Sequence, residues 1–144
     1  MLDSNRLTKS EDSELFIASI SEFNFTNCII TGSNNIELEF FQDGDMEFNY
    51  NFTNNTIQFN DVNNIYTDDP FYDFTDVNHY NSNILNADHD FKNLYLNELI
   101  IGENSDCIGQ ASVLGTAQVP LDILGKTRAN PADIGAYEHI VFDE

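Results

Sequence analysis

Phe25-Thr-Asn-Cys-Ile-Ile30, Phe52-Thr-Asn-Asn-Thr-Ile57 and Tyr80-Asn-Ser-Asn-Ile-Leu85 are three versions of one phrase, and their first residues stand 27 and 28 positions apart. Each opens on an aromatic residue, passes through small polar residues and closes on aliphatic ones. A fixed period of this length marks stacked repeats, each unit burying its apolar side against the next. Around the phrases apolar and polar residues alternate: Ile36, Leu38 and Phe40 with Glu37 and Glu39, then Phe48, Tyr50 and Phe52 with Asn49 and Asn51. Alternation with a period of two places one set of side chains inside and the other in water, as in a strand. β-branched and aromatic residues dominate here over strong helix formers, so the reading is β.

Short strands on this repeat predict a parallel solenoid in which equivalent residues form columns. Phe25, Phe52 and Tyr80 are expected to stack as an aromatic column in the core, with a sugar-stacking platform as the lesser reading. Asn27, Asn54 and Ser82 are expected to form a polar column at a bend, because an amide both donates to and accepts from its neighbours. Asn is common throughout, with 20 along the chain, and it suits turns rather than helix interiors. Alternation alone also fits a β-sandwich, which stays the alternative. The organisation expected is a polar lead-in or remnant of a preceding coil over 1–20, coils over 21–106 and a cap segment over 107–144. The Pro- and Asp-rich stretch near 60–79 reads as a loop inserted in one coil.

The chain of 144 residues carries 25 Asp plus Glu against 5 Lys plus Arg, a formal charge of -20. Between Ser10 and Phe91 there is no Lys or Arg against 16 acidic residues. Nucleic acid is therefore not an expected partner, because binding it rests on cations that neutralise phosphates. An anionic membrane surface is disfavoured on the same ground, and no apolar run approaches the roughly 20 residues that cross a bilayer. The first 14 residues lack the apolar core of a signal peptide. Hard oxygen ligands are plentiful at Asp43 and Asp45 around Gly44, and at Asp68, Asp69, Asp73 and Asp76, so Ca²⁺ is the cofactor to consider, against diffuse cation screening. His79, His89 and His139 match no zinc spacing and read as surface or turn residues. Cys28 and Cys107 match no metal or redox spacing; one disulfide between them is open but not required, and Cys28 sits where a small buried hydrophobe fits. The Asn-x-Thr triplets at Asn24, Asn51 and Asn54 are explained by the repeat without glycosylation.

From Asp90 onward the composition changes, and the chain closes on Leu121-Asp-Ile-Leu-Gly-Lys-Thr-Arg128 and Pro131-Ala-Asp-Ile-Gly-Ala-Tyr-Glu138. A guanidinium holds carboxylates with planar geometry, so Arg128 is assigned a structural role among Asp122, Asp133 and Glu138. The pattern D-x-x-G-x-x-R followed by D-I-G-A-Y-E resembles the C-terminal end of secreted, Bacteroidetes-type right-handed parallel β-helix proteins of the pectate-lyase-like superfamily. Asp122, Gly125, Arg128, Asp133, Gly135, Tyr137 and Glu138 supply that pattern, and the resemblance covers residues 23–142. The run-in departs from it at Ser105-Asp-Cys-Ile108, and His89 stands where proline is common. The resemblance implies a short right-handed parallel β-helix of about three to four coils with an irregular C-terminal cap, at the cell surface or outside the cell. It also implies that the motif residues build the cap rather than a catalytic cleft.

The function expected is noncatalytic: the terminal part of a longer β-helix protein, serving scaffolding, adhesion or glycan contact. The alternative is the C-terminal part of a polysaccharide lyase or glycoside hydrolase acting on acidic polysaccharide. A lyase base is missing from the repeats, where Lys92 is the nearest cation, and Asp68 to Asp76 are the carboxylates a hydrolase would draw on. A third reading is an acidic inhibitor that covers a basic partner. Expected partners are a polysaccharide, upstream coils of a parent protein, or a second copy associating through the N-terminal end.

Overall fold

Asn27, Asn54 and Ser82 all adopt left-handed backbone, with φ of 58°, 53° and 55°. This conformation costs most residues about 1–2 kcal/mol and Asn less, because its short amide bonds locally. The same sharp bend thus recurs once per repeat and separates two short strands each time. The computed structural model describes residues 2–3, 19–42 and 44–143. In chain order the strands are β1 (Leu2–Asp3), β2 (Asn24–Thr26), β3 (Ile29–Ile30), β4 (Phe40–Phe41), β5 (Asn51–Thr53), β6 (Thr56–Ile57), β7 (Tyr80–Asn81), β8 (Ile84–Leu85), β9 (Phe91–Asn93) and β10 (Glu98–Ile101).

The fold is all-β with parallel sheets, and the 27- and 28-residue spacings set its register. One sheet has the order β2-β5-β7 and pairs Phe25 with Phe52 and Phe52 with Tyr80. The other has the order β3-β6-β8, pairing Ile29 with Thr56 and Thr56 with Ile84, and Ile30 with Ile57 and Ile57 with Leu85. Both three-stranded sheets are parallel throughout, unlike the antiparallel sheets of a sandwich. β1 pairs in parallel with β4, and Ile20 bridges Phe48; the rest of the lead-in, residues 1 and 4–18, lies outside the described residues.

Adjacent strand residues face opposite ways, and each face has its own core. On one side the aromatic column stacks with ring centroids 5.1 Å (Phe25–Phe52) and 5.6 Å (Phe52–Tyr80) apart. Leu38, Tyr50 and Ile57 complete this buried cluster. The stretch after Asn60 closes it. A 3₁₀ turn at Pro70–Tyr72, N-capped by Asp69, brings in Phe71 and Phe74, and Phe74 lies 4.7 Å from the Tyr80 ring.

The polar ladder expected of Asn27 and Asn54 is built one residue later, by Asn55 and Asn83. Asn55 Oδ1 accepts the Cys28 N–H at 2.8 Å while its amide donates to the Phe25 carbonyl at 3.1 Å. Asn83 repeats both bonds one repeat further on, accepting from Asn55 N and donating to the Phe52 carbonyl. Asn27 and Asn54 turn the other way, toward the C-terminal segment. Asn54 donates to the Gln110 carbonyl at 2.8 Å, and Asn27 Oδ1 accepts the Ser112 N–H at 2.6 Å.

These bonds trace the path of that segment. It runs backward past the second repeat to the first, along the face of β3-β6-β8 opposite the aromatic core. There Ile101, Cys107, Ala111, Ala132 and Ile134 form a second cluster against Ile29, Ile84 and Phe91. Ser112 caps α1 (Val113–Gln118), and the returning chain bonds Gly135 N to the Asn27 carbonyl at 3.0 Å. Gly135 has φ of 110° and would set a side-chain carbon 2.7 Å from Ile29 Cδ1, so only glycine fits this approach.

Candidate functional site

Where the C-terminal segment meets the repeats it leaves an open cleft of about 1240 Å³. Ile29, Phe91, Leu94 and Leu99 give it apolar walls, and Asp88 and Asp90 also line it. β9 and β10 pair as an antiparallel hairpin whose connection is a 3₁₀ turn, Leu94–Leu96, capped by Asn93 and closed by left-handed Asn97 at φ 55°. That turn leaves three consecutive large apolar residues in water: Leu94 is 62% exposed, Tyr95 99% and Leu96 68%.

His89, expected at the surface, is buried beside the cleft. Its Nε2 lies 2.9 Å from the hydroxyl of fully buried Thr56, and its ring stacks on Phe91 at 5.0 Å. Burial lowers its pKa, outweighing Asp88 and Asp106, so the neutral ring is favoured. The carboxylates nearby rest on main-chain donors: Asp106 accepts the Asp88 N–H at 2.7 Å and Asp90 accepts the Asn104 N–H at 3.0 Å. Cys28 and Cys107 are both free thiols. Burial raises the pKa of each, which keeps them protonated and poor nucleophiles.

The acids proposed as calcium ligands have local partners. Asp69 Oδ1 accepts the Phe71 N–H at 2.9 Å. Asp73 Oδ1 accepts from the Thr75 hydroxyl at 2.6 Å and its N–H at 3.0 Å, which lowers the Asp73 pKa. Asp76 Oδ1 accepts from Asn78 N and Nδ2 at 2.9 and 2.8 Å. Asp61, which the sequence reading did not single out, does the same for Tyr66 and Ile65 and is likewise lowered. Asp45 and Asp68 are exposed in turns, and Asp43 lies outside the described residues. Among the described residues, no group of three or more His, Cys, Asp and Glu side chains is placed to hold a metal ion.

Asp122, Arg128, Asp133 and Glu138 form one polar knot beside the cleft, whose wall includes Gly135. Arg128 pairs with Glu138 at 3.3 Å and donates to the Gly135 carbonyl at 2.8 Å and the Asp133 carbonyl at 3.4 Å, so it holds one carboxylate and two main-chain oxygens rather than two carboxylates. Glu138 Oε2 accepts the Ala129 N–H at 2.9 Å. Asp133 accepts the Gly109 N–H at 2.8 Å and the His139 N–H at 2.7 Å, and His139 Nδ1 lies 2.8 Å from the same carboxylate. Asp122 receives Leu124 N and Lys126 N across the turn that Gly125, at φ 79°, completes. Burial alone would raise the Asp122 pKa; the N–H groups of Lys126, Glu138 and Leu124, with the Arg128 charge, outweigh it and lower the pKa. Tyr137 lines the cleft.

Two features escaped the sequence reading. Leu94 and Leu96 stand out as apolar, but the Asn-Glu that follows them is the only sign that they sit on a hairpin tip. His89 gives no sign of burial, because its partner Thr56 is 33 residues away. Compared with family models, curated proteins and solved structures, the chain shows no match. Among the described residues, no helix is long and apolar enough to cross a membrane.

Proposed function

We propose that the chain is the noncatalytic C-terminal part of a right-handed parallel β-helix protein, held outside the cell or on its surface as a scaffold or adhesive element in contact with glycan. The observation that carries this reading is the employment of the motif residues. Asp122, Arg128, Asp133 and Glu138 spend their polar atoms binding the closing segment to itself, and that segment is bonded to two successive repeats. Such wiring belongs to an architectural end rather than to a reaction centre. Two parallel ladders on a 27- and 28-residue register support the coil geometry. Among the described strands β2 and β3 each pair on one side only, so upstream coils or a second copy would extend the ladders there. In the inserted loop Asp69, Asp73 and Asp76 each cap a turn by accepting the N–H two residues on, a structural use of these carboxylates that supports the noncatalytic part.

The test is retention on insoluble cellulose, chitin, xylan, pectin and alginate, with and without Ca²⁺, combined with an assay for released sugars. Retention without product is the expected result. Unsaturated or reducing ends released from pectin or alginate, and abolished by Asn at Asp68, Asp69, Asp73 and Asp76 with an unchanged melting temperature, would overturn it in favour of a lyase or hydrolase. No retention on any of these would remove glycan contact from the reading.

A further inference from the structure

We propose that the hairpin tip and the cleft beside it form one docking surface for a cationic amphipathic segment of a partner protein, its apolar side on Leu94, Tyr95, Leu96 and Leu99 and its Lys or Arg side facing the lips. This does not rest on the glycan reading. Among the described residues, neither buried cluster includes Leu94, Tyr95 or Leu96. Leu94 and Leu99 also wall the cleft, which makes the projecting tip and the concave surface a single apolar patch. Contiguous exposed apolar surface with a polar rim is the mark of an interaction site, and tyrosine is among the residues that dominate binding energy there.

The rim selects the partner. Asp88 and Asp106 are exposed and bonded together beside the cleft, with Asp90 next to them. Glu37, whose carboxylate lies against the cleft-lining Gly32, adds a further negative charge. Two of the chain's few cations are already committed, Lys92 to Glu98 and Arg128 to Glu138. A second copy would set -20 against -20 with the same acids on both sides. An anionic lipid surface would be repelled likewise. A partner with an apolar stripe flanked by cations meets both demands of the patch, the groove-binding mode of amphipathic segments.

The test measures anisotropy of a labelled amphipathic Leu/Lys peptide against the whole chain, beside a Gly/Lys peptide of equal charge. The Leu/Lys peptide should bind at least about tenfold more tightly than its control, as apolar anchoring requires. The double variant Tyr95→Ser, Leu96→Ser should weaken it by roughly 10–100-fold, the range of hot-spot loss. Leu114→Ser with Leu124→Ser, exposed apolar residues elsewhere, should leave it unchanged. Asp88→Asn with Asp106→Asn keeps the acceptor oxygens and should flatten the salt dependence. Equal binding of the two peptides, no binding of either, or indifference to the tip variant would each overturn the proposal. A self-association in sedimentation that the tip variant abolishes would overturn it too, by naming a second copy as the occupant.

Discussion

Replacing Asn55 with alanine is the most direct perturbation of the stacked repeats. Asn55 has no solvent exposure. Its Oδ1 is the partner of the Cys28 N–H, and its Nδ2 donates to the Phe25 carbonyl and to Asn83 Oδ1. Truncation leaves one main-chain donor and one main-chain acceptor of the first repeat without those partners, while Asn83 Oδ1 keeps the Asn55 N–H. A buried polar group left unsatisfied costs about 1–3 kcal/mol, so the pair and the small void together predict a loss of about 3–5 kcal/mol. Against a total stability of roughly 5–15 kcal/mol that is a large fraction. Asn54, its neighbour in sequence, supplies the control. Asn54→Ala keeps every ladder bond but gives up the exposed bond to the Gln110 carbonyl and forces alanine into a left-handed bend at φ 53°, which predicts about 1–2 kcal/mol. Asn54→Gly removes that strain and should lie closer to the parent protein. Urea unfolding followed by circular dichroism and tyrosine fluorescence measures all three on one scale. If Asn55→Ala cost less than about 1 kcal/mol, or no more than Asn54→Ala, the ladder argument would be wrong.

Three further outcomes are expected. Arg128→Ala strands the Glu138 carboxylate, whose side chain is 2% exposed, and should cost about 3–5 kcal/mol in thermal or urea unfolding, with hydrogen exchange rising first across 107–139. Gly135→Ala should destabilise more than Gly125→Ala: both sit at positive φ, but only the first drives a methyl group into Ile29, and melting temperatures compare them directly. His89 has a folded pKa below its unfolded value, so its contribution is complete above about 6.5 and is lost as the pH falls below that value toward the folded pKa. Its share of the slope is at most about 1.4 kcal/mol per pH unit, and His89→Leu should flatten the pH dependence of stability below about 6.5; an unchanged slope in that variant would refute the assignment.

What the sequence made legible is what repetition encodes. Segments 27 and 28 residues apart can share a register only by stacking, and the aromatic that opens each phrase marks the buried column. The asparagine ladder was read one residue out of place because Asn54 and Asn55 are chemically the same. Only backbone conformation decides which amide turns inward, and Cys28 at the equivalent place in the first repeat hides the ladder's true column. The closing motif marked Asp122, Arg128, Asp133 and Glu138 as a structural group, but not where they go. The route back to Asn27 depends on bonds between residues 85 positions apart, and no local pattern carries such information. Composition alone leaves the run from Asp68 to Asp76 open, because turn-capping acids and cation-binding acids share it. The structure adds that Asp69, Asp73 and Asp76 each accept the N–H two residues on through Oδ1.

That same feature explains how so acidic a chain holds together. Asp61, Asp69, Asp73, Asp76, Asp90, Asp106, Asp122 and Asp133 each accept main-chain N–H bonds, so peptide dipoles supply much of the positive potential that lysine and arginine supply elsewhere. Such bonds favour the ionised form. For Asp61, Asp73 and Asp122 the folded pKa lies below the unfolded one, and their contribution is present above about 3.9 and lost as the pH falls through the folded value. Salt weakens the mutual repulsion of the surface acids without competing for these directional bonds. Acid therefore unties the turns that added salt leaves intact. The carboxylates beside the cleft obey the same economy: Asp106 accepts the Asp88 N–H, Asp88 accepts the Asp90 N–H, and both residues are exposed, so the fold sets the position of a charge that a partner can still meet.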